Sequence, residues 1–539
     1  MCKFQLKLSE NANILYKSIN LWYKLNNNYQ GIRVKELMEN AQILKTYKLP
    51  QWPIIRWINA FIYSKAFVVL IAILTVLSNA YAMDTYFFCA ITAFAIYIAI
   101  FGKDFSPYLP MLCFCYIASS VANNPGVNPD SILFPQNSGY LLFYLAGGII
   151  VSMILRFSLD KEVGFYNMVR QKRTLTVSIL ILGLAYFLSG ILSKGYMGFA
   201  LKNLAIAALQ FAVIIIPYFI LSFTVKWKEI KKDYLIFTGL LFGLAVSVEL
   251  IYVYIINNVM ASSIQHWKGF IYTGWGISNN MGAIVAMTIP FAFYYACKSK
   301  NCTSIIWLLI VDFMCLMTVF SCSRTSILVG VIFVAICTVI TLIKAKPATK
   351  LLTVLNTLFL ALLIWYFCAV YTHTLYVSFV SGLASTPRVQ LYTLGFKTFL
   401  DYPVFGNGFY SLSMQGPLDF NYEWSQEISF TSFFPARWHN TIIQLLATGG
   451  IVALLAYGYH RVKTIILLFK KRSIETTFTF ISIFVLLVAS LLDCHFFNLG
   501  PVLFYSVALA FVEFRIPHFT ETTPFKEYTF DLNENCLLK

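Results

Sequence analysis

Three arginines and a histidine fall where basic residues are otherwise scarce in this chain. Arg324 lies in SCSRTS (Ser321–Ser326), Arg388 follows Pro387, and Arg437 and His439 share the tetrapeptide RWHN (Arg437–Asn440). Each segment brings a polar group to the external end of a helix, Arg388 from within a long loop. A guanidinium is always charged and presents planar, paired donors that match phosphate oxygens. Two of them at a membrane surface, Arg324 and Arg388, suit the head of a lipid-linked diphosphate. Imidazole titrates near neutrality and can exchange a proton with a sugar or lipid hydroxyl, which makes His439 the candidate for that step. No external grouping of Asp, Glu and His has metal-ligand spacing, so the expected chemistry is metal-independent and without a cofactor.

Each residue also has a plainer reading. Arg324 could be an anchor snorkelling at a helix end, Arg388 could pair with Asp401 or Glu423, and His439 could merely cap its span. In a helix, Arg437 would lie about 200° round the axis from His439. That geometry favours an anchor, with a glycan or acceptor contact left open. Asn279 and Asn280, after Gly274 and Gly276, and Asn440 are further candidate glycan or acceptor contacts; helix capping is the competing role. His266, His373 and His495 are also external and compete with His439. Glu249 and Asp312 fall inside apolar runs, where an ionisable group is a functional candidate by default and a hydrogen-bonded structural role is the alternative.

The elements that must position these residues are membrane helices. The chain is 59% hydrophobic and only 12% charged, outside the range of soluble domains. Runs of roughly 20 apolar residues, enough to span a bilayer core, recur without the alternation of transmembrane strands. The expected fold is all-α and polytopic. Its spans are 66–83, 85–101, 106–121, 139–155, 174–192, 204–223, 235–256, 277–297, 303–320, 325–343, 351–372, 440–458, 475–492 and 501–514, roughly fourteen helices with both termini cytoplasmic.

Sidedness follows from charge. The loops Arg156–Arg173, Lys226–Lys232, Lys298–Lys300, Lys344–Lys350 and Arg461–Arg472 fall on one side, and only Lys194, Lys202, Lys268, Arg324, Arg388, Lys397 and Arg437 on the other. The rich side is read as cytoplasmic. The formal charge of +17 then belongs to loops and tails facing anionic lipid rather than to a nucleic-acid site. Residues 1–65 read as a cytoplasmic amphipathic region without a cleavable signal, 66–514 as the helical bundle, and 515–539 as a cytoplasmic tail. Within the bundle, the long stretch 373–439 is the expected extracytoplasmic subdomain, with helical spacing over Val389–Leu400 and a Gly-punctuated turn, PVFGNGFY (Pro403–Tyr410). Backbone at Gly406–Gly408 would be able to approach a substrate closely. Most of the twelve cysteines lie in apolar runs; Cys322 and Cys494 are the external pair.

GISNNMGAIVAMTIP, SRTSILVGV, PRVQLYTLGFKTFLDYPVFGNGF and WHNTIIQLLATGGIVALLAYG occur in that order. They resemble the characteristic segments of the O-antigen ligase and polymerase family of bacterial membrane glycosyltransferases, over about residues 270–460. The resemblance implies metal-independent, inverting transfer of a glycan from an undecaprenyl-diphosphate carrier to a lipid, wall-polymer or protein acceptor. This would take place on the outer face of the bacterial cytoplasmic membrane during surface polysaccharide assembly. It implies His439 as the assisting histidine and Arg324 and Arg388 on the diphosphate. The chain departs from the family at Thr448–Gly449–Gly450, where an acidic residue usually precedes the glycine. A polymerase joining lipid-linked repeat units shares the framework. From another class, a flippase of lipid-linked sugars would use the same arginines without an acid–base residue, and a membrane scaffold would use none of them.

Overall fold

The computed structural model describes residues 52–81, 83–115, 139–159, 173–193, 200–261, 267–299, 303–371, 387–412 and 437–516. Residues 1–51 of the amphipathic region, residues 373–386 and 413–436 of the expected extracytoplasmic subdomain, with His373 and Glu423, His266 and residues 517–539 of the tail lie outside these residues.

Apolar runs fold as helices here because a bilayer offers the backbone no hydrogen-bonding partner. The first half comprises α1 (Pro53–Ile62), α2 (Lys65–Tyr81), α3 (Asp84–Phe101), α4 (Tyr108–Cys113), α5 (Gly139–Leu159), α6 (Thr176–Leu192), α7 (Ala200–Thr224) and α8 (Tyr234–Ile256). A short helix α9 (Trp267–Phe270) and a two-stranded hairpin, β1 (Tyr272–Thr273) and β2 (Gly276–Ile277), follow. Then come α10 (Ser278–Lys298), α11 (Ser304–Phe320), α12 (Arg324–Lys344), α13 (Pro347–Tyr371) and α14 (Pro387–Asp401). The chain closes with α15 (Thr441–Lys470), α16 (Ile474–Leu492), a 3-10 turn at His495–Phe497 and α17 (Leu499–Arg515).

Among the described residues, seven helices are long and apolar enough to cross a membrane, or eight if the α1–α2 pair, bent by 71°, counts as one span. Four shorter apolar helices accompany them. That measure does not reach the roughly fourteen spans read from the sequence. In the expected span 106–121, for instance, helix α4 ends at Cys113 and residues 116–138 lie outside the description.

Burial sorts the helices into centre and rim. α10 and α17 are buried on almost every face. Small residues let neighbours close on α10: a Cβ at Gly282 would sit 2.4 Å from Ser321 Oγ. α12 and α13 instead leave most of their apolar side chains exposed, among them Val331, Val339, Leu355, Leu362 and Trp365, as lipid-facing helices do.

The two ends of the bundle differ in charge. One gathers Lys65 against Asp233 (2.5 Å) and Lys298 against Glu475 (3.4 Å), beside the basic loops. This is the end that the positive-inside rule leads one to expect in the cytoplasm. The opposite end carries His439. There Glu249 accepts from Asn79 Nδ2 (3.1 Å) and Trp275 Nε1 (2.7 Å), and Asn79 Oδ1 accepts from Gly274 N–H (3.1 Å). Glu249 thus pins the β1–β2 hairpin that delivers Asn279. Asp312 accepts from Asn356 Nδ2 (2.8 Å), a tie between α11 and α13.

Candidate active site

His439 does not lie in a helix. Its backbone sits at φ +52°, in the left-handed region that few non-glycine residues adopt, and α15 starts only at Thr441. Flanking bonds hold it there. Trp438, fully buried, donates its N–H to Gln444 Oε1 (3.0 Å) and its indole N–H to Ser411 Oγ (3.1 Å). Tyr392 of α14 donates to the His439 carbonyl (3.0 Å). Asn440 caps α15, its Oδ1 accepting from Ile442 N–H (2.8 Å) and Ile443 N–H (3.1 Å).

These constraints place the imidazole against Asp493. His439 Nδ1 lies 3.1 Å from Asp493 Oδ1, which also accepts the Cys494 N–H (2.7 Å). Asp493 Oδ2 accepts from Asn279 Nδ2 (2.9 Å). The His439 side chain keeps 26% of its surface, Asp493 only 10%. Burial opposes the charge on Asp493, but the His439 bond, the neighbouring imidazoles and the Cys494 N–H outweigh it and hold the carboxyl well below its usual range.

The arginines stand around this pair in three different conditions. The last carbonyls of α16 lack helical partners and carry the negative end of its dipole. Arg388 Nη1 takes one of them, Leu492 O (3.1 Å), and Asn440 Nδ2 takes Leu491 O (2.8 Å). Arg437 donates through Nη1 to Cys494 O (3.3 Å) and to Asn498 Oδ1. Arg324, the first residue of α12, is exposed and makes no hydrogen bond among the described residues.

Lys268 joins them. On α9, Trp267 packs against Tyr254 (centroids 5.7 Å apart), whose hydroxyl donates to Phe320 O (2.6 Å) just before Arg324. The Lys268 ammonium is drawn below its ordinary value by partial burial and then by Arg388 and Arg324. Three cations therefore share one neighbourhood, with Asp493 committed to His439.

Below this layer is a second one. His495 Nδ1 lies 3.2 Å from Asn280 Oδ1, which also accepts from Asn498 Nδ2. Burial lowers the His495 imidazole from its ordinary range more than Asp493 beside it raises it, and Arg437 adds to the lowering. Asn280 and Arg437 are thus engaged within the protein, and Asn440 uses both its polar atoms to join two helix ends. Arg437 and His439 also belong to one cluster, because RWHN precedes the helix and the 200° offset does not apply.

Two other expectations change. Gly406 (φ +69°) and Gly408 (φ +84°) do bring backbone into close approach, but with α15. Asn407 N–H donates to Ala447 O (2.9 Å), Gly408 N–H to Thr448 O (3.1 Å) and Ile451 N–H to Pro403 O (2.8 Å), around a break in α15 at Gly450 (φ +62°). The family's usual acidic position thus falls in a backbone junction. Cys322 and Cys494 are free thiols; Cys494 Sγ is 3.6 Å from Gln444 Oε1, and Cys322 Sγ is 3.7 Å from the Tyr254 hydroxyl.

Residues 308–458 match the O-antigen ligase family. That segment is similar to an O-antigen ligase domain. The match covers just over a quarter of the chain and includes Arg324, Arg388, Arg437, His439 and Asn440. It leaves outside Lys268, Asn279, Asn280, Asp493 and His495, which the fold brings to the same end. No curated protein matches the chain. Together with the apolar helices, the match supports a multi-pass protein of the bacterial inner membrane. It also supports O-antigen ligase-like glycan transfer in surface polysaccharide assembly, for which the family implies a lipid-linked glycan and membrane lipids as partners.

Sequence reasoning missed Asp493 and Lys268. Asp493 is 54 residues from its partner, and no local spacing relates the two. The available signal was an acidic residue in DCH, at the acid-poor outer end of a span.

Proposed function

We propose that this protein transfers a glycan, with inversion, from an undecaprenyl-diphosphate carrier to an acceptor hydroxyl at the outer membrane–water interface. The reading rests above all on the His439–Asp493 pair standing beside a cluster of three cations within one ligase-like framework. The acceptor oxygen attacks the anomeric carbon, and the bond from that carbon to the diphosphate breaks. With Nδ1 engaged by Asp493, His439 takes the acceptor proton through Nε2. Arg324, Arg388 and Lys268 hold the diphosphate and stabilise the charge that develops as it leaves. Of the remaining candidates, Asn279 works through Asp493, and Asn280, Arg437 and Asn440 serve to fix the cluster.

A flippase would be expected to use ionisable groups near the midplane. Glu249 and Asp312 are the candidates named for that, and both are hydrogen-bonded to neighbouring helices, which favours transfer.

The test uses purified protein in lipid nanodiscs, a matched undecaprenyl-diphosphate glycan and a panel of lipid, wall-polymer, protein and lipid-linked repeat-unit acceptors. Transfer by wild type, lost in His439→Ala with donor binding retained, is the expected result. Equal transfer by both would remove His439 from the mechanism. Use of a lipid-linked repeat unit as acceptor would identify a polymerase rather than a ligase.

A further inference from the structure

The sequence places Arg461 in a cytoplasmic loop, but α15 continues through it to Lys470. A side chain on a helix leans towards the helix N-terminus, and here the Arg461 guanidinium leans back into the bundle. It stacks on Tyr457 (4.2 Å to the ring centroid), Phe496 (4.4 Å) and Tyr505 (4.9 Å). Nη1 donates to the Tyr505 hydroxyl (2.5 Å), while Nε and Nη2 are buried and make no hydrogen bond among the described residues. His460 beside it bridges Ser178 Oγ (3.0 Å) and the same Tyr505 hydroxyl (2.7 Å).

A charged group held this way is costly, and an apolar side chain would fill an aromatic cage more cheaply. What it stacks on gives the reason. Phe496 is the middle residue of the 3-10 turn His495–Phe497, three positions after Asp493. Each residue of that turn is fixed to a different helix. His495 faces Asn280 of α10, and Phe497 stacks on Tyr186 of α6 (centroids 5.6 Å apart, rings inclined by 25°). Phe496 takes the cation of α15. The same α15 begins next to His439, so its two halves, joined at the Gly450 break, hold the histidine at the upper end and the aspartate's turn from below.

We propose that Arg461 is a positioning residue that sets the Asp493 carboxylate against His439 by clamping Phe496 from beneath. The inference rests on the transfer reaction proposed above. It predicts that Arg461→Met, which keeps the unbranched stem but not the cation, lowers kcat by roughly ten- to a hundredfold, as a misplacement of about 1 Å does. The donor KM stays within about twofold, because Arg324, Arg388 and Lys268 are untouched. Arg461→Lys recovers part of the loss, since an ammonium still attracts the ring face.

The deciding measurement is a double-mutant cycle in nanodiscs with Asp493→Ala, alongside thermal unfolding of every variant. If Arg461 acts through the Asp493 side chain, adding Arg461→Met to Asp493→Ala, which leaves nothing to position, costs less than about threefold more. Multiplying losses, or an Arg461→Met enzyme with wild-type kcat, would overturn the proposal while the His439 requirement still stood. Equal transfer by wild type and His439→Ala would overturn the reaction itself instead. Should Arg461→Met fail to fold, Phe496→Leu removes the other half of the stack. The same cycle then decides.

Discussion

Replacing Asp493 by Asn separates charge from shape at the centre of the site. In wild type, Oδ1 accepts from His439 and from the Cys494 N–H, and Oδ2 accepts from Asn279 Nδ2 (2.9 Å). An asparagine that keeps its oxygen towards His439 preserves two of the three bonds and turns its NH2 on the Asn279 NH2. Rotating the Asn279 amide by half a turn presents its oxygen instead, so the third contact is restored. What is lost is the charge. Bonds to charged groups contribute about 1.5–3 kcal/mol and neutral ones about 0.5–1.5, a difference of roughly 1 kcal/mol, kept to the low end because His439 is 26% exposed. In nanodisc transfer assays the expected kcat loss is therefore about five- to tenfold, with the donor KM little changed. Asp493→Ala leaves the buried Asn279 and Cys494 donors unpaired, at about 1–3 kcal/mol each, and should lose both unfolding temperature and far more activity. Asp493→Asn with wild-type kcat would refute the pairing as a catalytic feature. A loss as deep as that of Asp493→Ala would refute the amide-rotation argument. The pH dependence has a definite sign: a carboxyl depressed on folding stabilises above its unfolded value of about 4 and loses that contribution as pH falls through the lower folded one. The unfolding-temperature gap between wild type and Asp493→Asn should thus close as pH falls below about 4.

Arg324→Ala and Lys268→Ala should each reduce kcat/KM for the lipid-linked donor by about ten- to a hundredfold, the worth of a charge-assisted bond, without moving the unfolding temperature. Arg388→Ala should do the same and also lower that temperature, since it frees the Leu492 carbonyl. Gly406→Ala and Gly450→Ala should cut stability and membrane abundance sharply. Both glycines have positive φ, and the added Cβ would sit 2.4 Å from the Thr448 carbonyl carbon or 2.3 Å from Val404 O. Glu249→Gln turns an amide donor on either Trp275 or Asn79 and should cost about 1–3 kcal/mol in unfolding, read by thermal melts. An unchanged melt would mean the hairpin is held by other contacts.

Helix positions were legible because hydropathy and length fix them together. Ser278–Lys298, Ser304–Phe320 and Ile474–Leu492 lie within a residue of the spans read from the sequence. α15 was not, because Arg461 looks like a loop residue until its aromatic cage is seen; a cation can stay in a helix when three rings on other turns enclose it. The junction at Gly450 was equally hidden. Gly449–Gly450 reads as a pair of small residues in an apolar run, and only the backbone of Pro403–Gly408 gives the break its partners. For the site, residue type identified His439, Arg324 and Arg388, but pairing did not follow from spacing, since Asp493 comes from the connection after α16 and Lys268 and Asn279 from the one leading into α10.

The three arginines, equal by sequence, are graded by what already holds them. Arg437 gives Nη1 to two protein acceptors, and burial lowers its guanidinium from its ordinary value against the pull of Cys494 and Asp493. Such a group is committed to the fold of the Cys494–Asn498 turn. Arg388 spends one donor on the end of α16 and is half-buried, so its position is set while other donors of the fork remain. Arg324 is exposed at a helix start. A diphosphate arriving from the bilayer would meet one cation already oriented and one able to reorient, with Lys268 between them in charge coupling. Among the described residues Asp493 is the acid that acts on Lys268, and it is bonded to His439; the like charges repel, and an anion relieves that repulsion as it binds. The same argument predicts that donor affinity falls as ionic strength rises, more steeply in wild type than in Arg324→Ala. Equal salt slopes would mean that Arg324 never meets the phosphate.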